Sequence, residues 1–209
     1  MRGEGHPMAR IIIYSALALF LVFTGYRMLN EGRPSLGTLR DMASAPFTPK
    51  QTHPFTLTDH NGQKVSDKSF RGQFLLVFFG YTHCPDVCPT GLLVMSQAMD
   101  LLGADAARVT PLFITVDPAR DGPEQLKDYV ANFHQRLVGL TGSEAQIEDA
   151  AKAYNARYVR LDSEDGDKEN YFMGHTATTY LTGPDGVALT SFGHETSPED
   201  MAAEIRKFL

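Results

Sequence analysis

The sequence predicts an α/β sandwich with a central mixed sheet, and three observations lead to this prediction. Two long apolar runs, residues 73–80 and 109–116, do not alternate with polar residues, which is typical of strands covered on both faces of a sheet. A segment with the apolar spacing of a helix follows each run, so strands and helices alternate along the chain. The last part of the chain predicts a β-hairpin and a helix, which adds antiparallel strands to the parallel ones.

The first half of the predicted domain contains a hairpin, a buried strand and a helix. The elements in chain order are a strand over 54–58, a turn at 59–62, a strand over 63–65, a strand over 73–80 and a helix over 90–102. The turn is indicated by the residues Asp-His-Asn-Gly, and the helix is predicted to end at Gly103. Its apolar residues recur at helical spacing: Leu92, Leu93, Met95, Met99 and Leu102.

The second half continues the alternation. The elements in chain order are a strand over 109–116, a helix over 122–133, a strand over 138–140, a helix over 143–154, strands over 178–181 and 187–192, and a helix from Pro198. Ser143 and Gln146 have the spacing of a capping box, and Ser197 is in position to cap the last helix. Residues 183–186, Gly-Pro-Asp-Gly, predict the turn between the last two strands.

Composition and charge limit the class of protein. The 209 residues are 43% hydrophobic and 21% charged, as in ordinary globular proteins, which excludes a disordered, collagenous or disulfide-dense chain. Residues 1–40 carry five Lys or Arg and two acids, whereas residues 41–209 carry fourteen Lys or Arg and twenty-three acids. The acidic part lacks the basic surface that nucleic acid requires. We therefore expect no nucleic-acid partner and a cationic or metal-bearing one instead.

A continuous apolar segment near the start of the chain predicts a membrane anchor. Residues 11–26 read IIIYSALALFLVFTGY and rise about 24 Å as a helix, slightly less than the ~30 Å hydrocarbon core. Arg27 lengthens the usable stretch because its side chain reaches the headgroups. We expect a single transmembrane helix within residues 1–30, a polar linker over 31–52 and a globular domain over 53–209.

A cleaved signal peptide is the alternative for this segment, since the apolar part of such peptides runs about 7–15 residues. No small-residue cleavage motif follows it, and no cysteine is present there for lipid attachment. The flanking arginines do not fix the orientation, because they lie on both sides: Arg2, Arg10, Arg27, Arg33 and Arg40.

The two cysteines lie where the first buried strand leads into its helix. If the helix begins near Asp86, the spacing of Cys84 and Cys88 places both sulfurs on one face. The N-terminus of a helix stabilises negative charge and so lowers the pKa of both thiols. Two adjacent thiolates of low pKa form either a redox pair or a site for a soft metal.

The spacing alone leaves three roles open for this pair: metal ligands, a redox disulfide or a structural disulfide. Oxidoreductases of the thioredoxin type have two residues between their cysteines, whereas this chain has three. A disulfide across so short a loop would constrain the unfolded chain little, which makes a purely structural bridge the weakest of the three.

Four segments in order resemble the SCO/SenC family. They are FFGYTHCPDVCP, FITVDPARD, FHQRLVGLTGS and the segment 171–186 that ends GHTATTYLTGPDG, and the resemblance covers about residues 50–209. It implies a membrane-anchored, thioredoxin-like copper protein of cytochrome c oxidase assembly, in which Cys84, Cys88 and His175 bind copper as Cu(I) or Cu(II). It also implies a single-pass inner-membrane protein whose domain lies in the bacterial periplasm or the mitochondrial intermembrane space.

The chemistry of these residue types agrees with that implication. Thiolates are soft ligands suited to Cu(I), and imidazole binds either oxidation state of copper. His175 precedes the strand predicted over 178–181, at a place where thiol oxidoreductases of this fold generally have a proline. The family commonly has Asp where this chain has Gly174, and we expect this difference to alter copper kinetics or the client.

Several other residues have simpler interpretations. We expect Met173 to pack rather than to bind metal, His83 to shape its loop, and Asp117, Arg120 and Asp121 to form a solvated turn, although that loop could reach the site. The acidic run 162–169 predicts an exposed loop rather than a calcium site. The remaining histidines have no metal-binding spacing: His6, His53, His60, His134 and His194.

The function implied by the resemblance is copper delivery rather than enzymatic turnover. We expect a metallochaperone that carries copper to the oxidase subunit with the copper A centre, and that exchanges copper with other carriers. The alternative is a thiol-disulfide reductase for the client's cysteines, in which Cys84 and Cys88 form a redox disulfide. A peroxidase is disfavoured because no arginine or threonine stands in a peroxidatic arrangement around Cys84.

Overall fold

The computed structural model describes residues 54–163 and 171–209, together with Phe20, Phe23 and Tyr26, which are helical. The predicted anchor and linker otherwise lie outside the described residues, as does most of the acidic run 162–169. The transmembrane helix therefore stays a prediction. The elements below all belong to one compact unit, Asp41–Leu209.

Residues 54–163 and 171–209 form nine strands, four α-helices and two 3-10 helices. The strands are β1 Thr56–Asp59, β2 Lys64–Ser66, β3 Phe74–Gly80, β4 Val109–Thr115, β5 Val138–Thr141, β6 Tyr158–Asp162, β7 Tyr171–His175, β8 Thr179–Thr182 and β9 Ala188–Phe192. The α-helices are α1 Val87–Leu102, α2 Pro123–Val130, α3 Glu144–Ala153 and α4 Pro198–Arg206, and the 3-10 helices are Asp67–Phe70 and Gly103–Arg108.

Seven of these strands form a mixed sheet in the order β2-β1-β5-β4-β3-β8-β9. The central strands β3, β4 and β5 are parallel, and β8 pairs antiparallel with β3 in a register that sets Val77 opposite Tyr180. Every residue of β3 is buried, which explains its continuous apolar run. The mixed sheet predicted from the sequence is confirmed.

Helix α1 lies in the core beside this sheet. One face of the helix is buried: Cys88, Leu92, Met95, Ala98, Met99 and Leu102. The 22-residue stretch Val87–Arg108 that contains it is long and apolar enough to cross a membrane, by length and composition alone. Its buried face is that of a helix in the core of a folded domain.

The helix caps follow the sequence closely. The Ser143 hydroxyl accepts from the amide of Gln146 at 3.3 Å and the Gln146 side chain accepts from the amide of Ser143 at 2.9 Å, which confirms the predicted capping box. Helix α1 begins three residues before the predicted 90–102, because the first turn of a helix tolerates Pro89.

One element was not predicted. Strands β6 and β7 pair antiparallel and form a two-stranded sheet of their own, here called the histidine hairpin, with Tyr158 opposite His175. Both strands are short, and β6 mixes apolar residues with Arg160 and Asp162, so its sequence does not have the long apolar run of the central strands. The hairpin carries one of the predicted metal ligands.

Candidate metal centre

The cysteines lie at the carboxyl end of the central strand β3. The chain leaves β3 at Gly80, turns with a hydrogen bond of 3.2 Å from the amide of Cys84 to the carbonyl of Tyr81, and enters α1 at Val87. Cys88 is the second residue of that helix. Only 9% of Cys84 and 0% of Cys88 is exposed, so Cys84 is the sulfur closer to solvent.

His175, at the end of β7, completes a cluster with the two sulfurs. One ligand atom from each of Cys84, Cys88 and His175 lies within 4.8 Å of the other two. The shortest of these contacts joins Cys88 Sγ and His175 Nε2 at 3.1 Å. The topology thus brings together two residues that are 87 positions apart in the chain.

The surroundings of His175 fix its ring. Phe78 and Tyr81 meet the imidazole edge to face, with centroid distances of 6.1 and 5.9 Å. Nδ1 lies 3.3 Å from the carbonyl oxygen of Thr176, which only accepts, so Nδ1 carries a hydrogen. In the neutral ring, the lone pair is then on Nε2, the nitrogen that faces Cys88.

Gly80 leaves the space in which the Cys88 sulfur sits. A Cβ atom at this position would lie 2.7 Å from Cys88 Sγ and 2.8 Å from the Phe113 ring. Neither neighbour is the end of a flexible surface side chain, so a larger residue would displace the sulfur or the ring. The glycine that ends the apolar run is the sequence signal for this contact.

The two thiols differ in acidity. The pKa of Cys84 is lowered to about 4, chiefly by a hydrogen bond with Cys88 and against the effect of burial. Burial raises the pKa of Cys88, and the hydrogen bond with Cys84 and the charge of Cys84 raise it further. The prediction of two thiols with low pKa is right for Cys84 and wrong for Cys88, because two negative charges this close together in a buried site repel each other.

The donor set fits a soft metal. Two sulfurs and one imidazole nitrogen are the ligands that favour Cu(I), and they converge from two separate elements. Both cysteines are free thiols here. The predicted ligand roles and the predicted redox disulfide between Cys84 and Cys88 are compatible with this geometry and stay predictions.

The loop after β4 holds the cysteine loop in place. Asp121 is fully buried and accepts hydrogen bonds from the Thr82 amide at 2.9 Å, the Thr82 hydroxyl at 2.6 Å and the Thr115 hydroxyl at 2.6 Å. Thr82 lies two residues before Cys84. The prediction of a solvated turn at this loop is wrong, because the carboxylate of Asp121 is paired inside the protein.

The same loop also contacts the histidine hairpin. Asp117, 3% exposed, accepts from the Tyr171 hydroxyl at 2.8 Å and pairs with the Arg120 guanidinium. Arg120 also donates to the Tyr171 carbonyl at 3.2 Å and lies over the Tyr171 ring, 3.6 Å from its centroid. The loop therefore contacts both the cysteine loop and the histidine hairpin.

The other candidate residues lie outside the cluster of three. His83 is exposed, with its Nδ1 3.1 Å from the Thr82 hydroxyl, and Met173 packs against the hydrophobic core, as expected. Gly174 lies opposite Val159 in the hairpin. Asp162 forms an exposed ion pair with Arg160.

The remaining histidines of the described residues have structural contacts. The His60 ring accepts from the Gly139 amide at 3.0 Å, His134 lies near Asp100, and His194 pairs with Glu195 on the surface. His6 and His53 lie outside the described residues.

The chain is similar to proteins of one family. The SCO1/SenC family model matches residues 43–209. The mitochondrial SCO1 homolog of Homo sapiens is 44% identical over 154 residues, which are 73% of this chain and 50% of that protein. Protein sco1 of Schizosaccharomyces pombe is 39% identical over 155 residues, 74% of this chain and 59% of that protein. The chain thus spans about half to three fifths of the length of these relatives.

Solved structures agree with this similarity. ScoI of Bradyrhizobium japonicum with copper bound is 42% identical, with a TM-score of 0.70 over 77% of this chain and 100% of that one. BsSco, a member of the Sco family of cytochrome c oxidase assembly proteins with a disulfide switch, is 29% identical, with a TM-score of 0.60 over 78% of this chain and 96% of that one. The thioredoxin-like fold expected from the sequence is confirmed.

Proposed function

Because the chain belongs to the SCO1/SenC family, we propose that it is a copper metallochaperone for cytochrome c oxidase assembly. It binds one copper ion through Cys84, Cys88 and His175 and delivers it to the subunit that carries the copper A centre. The observation that supports this proposal most strongly is the convergence of the three ligand atoms within 4.8 Å. The copper-bound structure of a relative that is 42% identical supports the choice of metal.

The acidity of the thiols suits the uptake of copper. Cys84, whose pKa is about 4, is a thiolate at neutral pH and is the first soft ligand that an arriving Cu(I) meets. Cys88 gives up its proton when the metal binds, since the positive charge of copper replaces that proton between the sulfurs. His175 supplies the third donor from the opposite side.

The difference in exposure between the two cysteines determines which copper–sulfur bond is exchanged first. Cys84 is partly accessible, whereas Cys88 is buried against Gly80. A client thiolate therefore meets the copper ion from the side of Cys84, and this bond is the first to be exchanged. Cys88 and His175 keep the ion in place until the client has supplied enough ligands.

The apolar segment 11–26 supports a place for this activity at a membrane. We assign residues 1–30 to a single-pass anchor in the inner membrane, with the domain in the periplasm or the mitochondrial intermembrane space. Relatives are found in mitochondria and in bacteria, in agreement with both compartments. Other copper carriers would load the protein there.

A thiol-disulfide reductase is the second candidate, and the low pKa of Cys84 favours it. The Cys84 thiolate would attack a disulfide of the client, releasing one client thiolate and forming a mixed disulfide. Cys88, once deprotonated, would attack Cys84, so that the client gains two electrons and the pair becomes a disulfide. The disulfide switch described for BsSco supports this alternative.

Complementation separates the two candidates. A strain that lacks the protein receives the wild type or His175→Ala, and oxidase activity is measured at low and at added copper, with membrane levels of the protein checked. Delivery predicts that His175→Ala fails at low copper and is rescued by added copper, because excess metal bypasses a delivery defect. Full rescue at low copper would contradict delivery and favour the reductase, which needs the thiols but no third ligand.

A further inference from the structure

The histidine hairpin has an unusual attachment to the rest of the domain. Its two strands pair only with each other within the described residues, so no backbone ladder ties them to the seven-stranded sheet. Close to the base of the hairpin, the amide of Thr176 donates to the carbonyl of Arg157 at 2.9 Å, which closes the hairpin on itself. Apart from the short connection 176–178 to β8 of that sheet, the position of β7 relative to the cysteines therefore depends on side-chain contacts.

Tyr171, at the far end of β7 from His175, makes the most extensive of these contacts. Its hydroxyl donates to Asp117 at 2.8 Å, its carbonyl accepts from Arg120 at 3.2 Å, and its ring lies under the Arg120 guanidinium. Tyr171 is 7% exposed and Asp117 3%, so these contacts lie inside the protein, where hydrogen bonds to charged groups contribute most.

Asp117 and Arg120 belong to the loop that also fixes the cysteines. Asp117 and Asp121 lie four positions apart, and Asp121 accepts two hydrogen bonds from Thr82 of the cysteine loop. One short loop thus contacts the cysteine loop at one end and the histidine hairpin at the other. Arg120 lies 3.6 Å from the centroid of the Tyr171 ring and 5.8 Å from that of Tyr81, so its closer ring contact is to the hairpin.

The geometry points to Arg120, with Asp117 and Tyr171, as the positioning residues that hold the histidine hairpin so that His175 reaches the metal bound by the two cysteines. This inference rests on the proposed copper binding. Arg120 is the central member because it contacts both of the others. It acts through His175 and does not itself bind the metal.

A matched pair of arginines tests this role. Arg160 lies 3.7 Å from the centroid of the Tyr171 ring, as close as Arg120, but it is exposed and paired with the exposed Asp162. Cu(I) affinity is measured by chelator competition on the 209-residue chain. We expect Arg120→Ala to weaken binding about tenfold, the lower end of the range for residues that support a ligand, and Arg160→Ala to change it less than about twofold.

A double-mutant cycle shows whether the effect passes through the imidazole. In the His175→Ala background, Arg120→Ala should weaken the remaining affinity by less than about twofold, since the ligand that it positions is gone. An equal loss in both backgrounds would overturn the proposal, as would a single variant that binds copper normally. If Arg120→Ala does not fold, Tyr171→Phe takes its place in the affinity measurement. This variant removes only the hydroxyl contact and should weaken copper binding, but by less than the loss expected for Arg120→Ala.

Amide hydrogen exchange of the copper-free chain gives an independent result. Arg120→Ala should increase exchange in β7 and leave β3 unchanged, and unchanged protection of β7 would overturn the positioning role whatever the copper result. If the wild-type chain binds no Cu(I) while Arg120→Ala still increases exchange in β7, the proposed function is contradicted and the role of Arg120 in placing the hairpin is supported.

Discussion

The candidate site is built from two regions that differ in how they are held. The cysteine loop leaves the central strand of the sheet and enters the main core helix, with Cys88 packed against Gly80 and Thr82 held by the buried Asp121. The histidine hairpin lies outside that sheet and is held by side chains of a neighbouring loop. The thiol side is therefore part of the rigid core, and the imidazole side has a separate support.

This difference suits a carrier that must both retain and release its metal. Ligands on the core fix where the ion binds, while the ligand on the separately supported hairpin is able to leave, once the client has replaced Cys84, without unfolding the domain. In an enzyme that keeps its metal, we would expect all ligands on equally rigid elements.

The thiol side should contribute more to copper affinity than the imidazole side. Cys84→Ser and Cys88→Ser each remove a thiolate, the ligand that Cu(I) prefers, and should weaken binding more than about 100-fold, beyond the usual effect of a supporting residue. His175→Ala should also weaken binding severely, but less than either cysteine variant. Competition with a Cu(I) chelator measures all three, and a greater loss in His175→Ala would reverse the comparison.

The packing around Cys88 should not accommodate a methyl group added at Gly80. Gly80→Ala places a methyl group 2.7 Å from Cys88 Sγ and should lower the free energy of unfolding by about 1–3 kcal/mol while reducing copper affinity. Gly193→Ala is the matched control, because a Cβ there would have no atom within 4 Å and the position has no positive φ. Urea unfolding of both variants measures the difference, and equal stabilities would show that Cys88 is not tightly packed.

The rate at which each thiol is alkylated should depend differently on pH. Cys84 has a folded pKa of about 4, far below its ordinary value near 9, so it is ionised throughout the neutral range and loses its charge only as the pH falls through about 4. Alkylation of Cys84 by iodoacetamide in the copper-free protein should therefore be nearly constant from about pH 6 to 8. Mass spectrometry of the labelled residue gives the rate, with Cys84→Ser to show that buried Cys88 reacts slowly. A rate that rises steadily over this range would contradict the low pKa of Cys84.

The smallest effect is expected at His83. This side chain adjoins Cys84 in sequence, but it is exposed and contacts Thr82 and Asp121 rather than the cluster of three ligands. His83→Ala should leave copper affinity within about twofold of the wild type, which the same chelator competition measures. A loss as large as that of His175→Ala would move the third ligand to the cysteine loop and remove the contrast between the two regions.

The sequence predicts the core region well for a physical reason. Strands β3 and β4 are covered on both faces, so residues 73–80 and 109–116 are apolar whatever the details of packing. The cysteines are noticeable because they are the only two in the chain and lie four positions apart at the start of a helix. Gly80 ends the apolar run 73–80 directly before the cysteine loop, so its position beside the cysteines is also visible in the local sequence.

The second region was predicted less completely because its contacts are distant in the chain. His175 was identified only through the resemblance to a family, since nothing in its local sequence connects it with cysteines 87 positions away. The buried role of Asp121 was missed because Asp-Pro-Ala-Arg-Asp has the composition of a solvated turn. A signal was present, however, since Thr115 ends β4 and Thr82 follows β3, and the carboxyl ends of these neighbouring parallel strands meet at one edge of the sheet.

X-ray absorption of the Cu(I)-loaded chain shows whether the cysteine loop and the histidine hairpin bind the same copper ion. The proposed site predicts one copper per chain with two sulfur neighbours and one nitrogen neighbour, and the loss of the nitrogen alone in His175→Ala. Copper bound by sulfur alone in the wild type, or a spectrum that His175→Ala leaves unchanged, would show that the histidine hairpin is not part of the metal site.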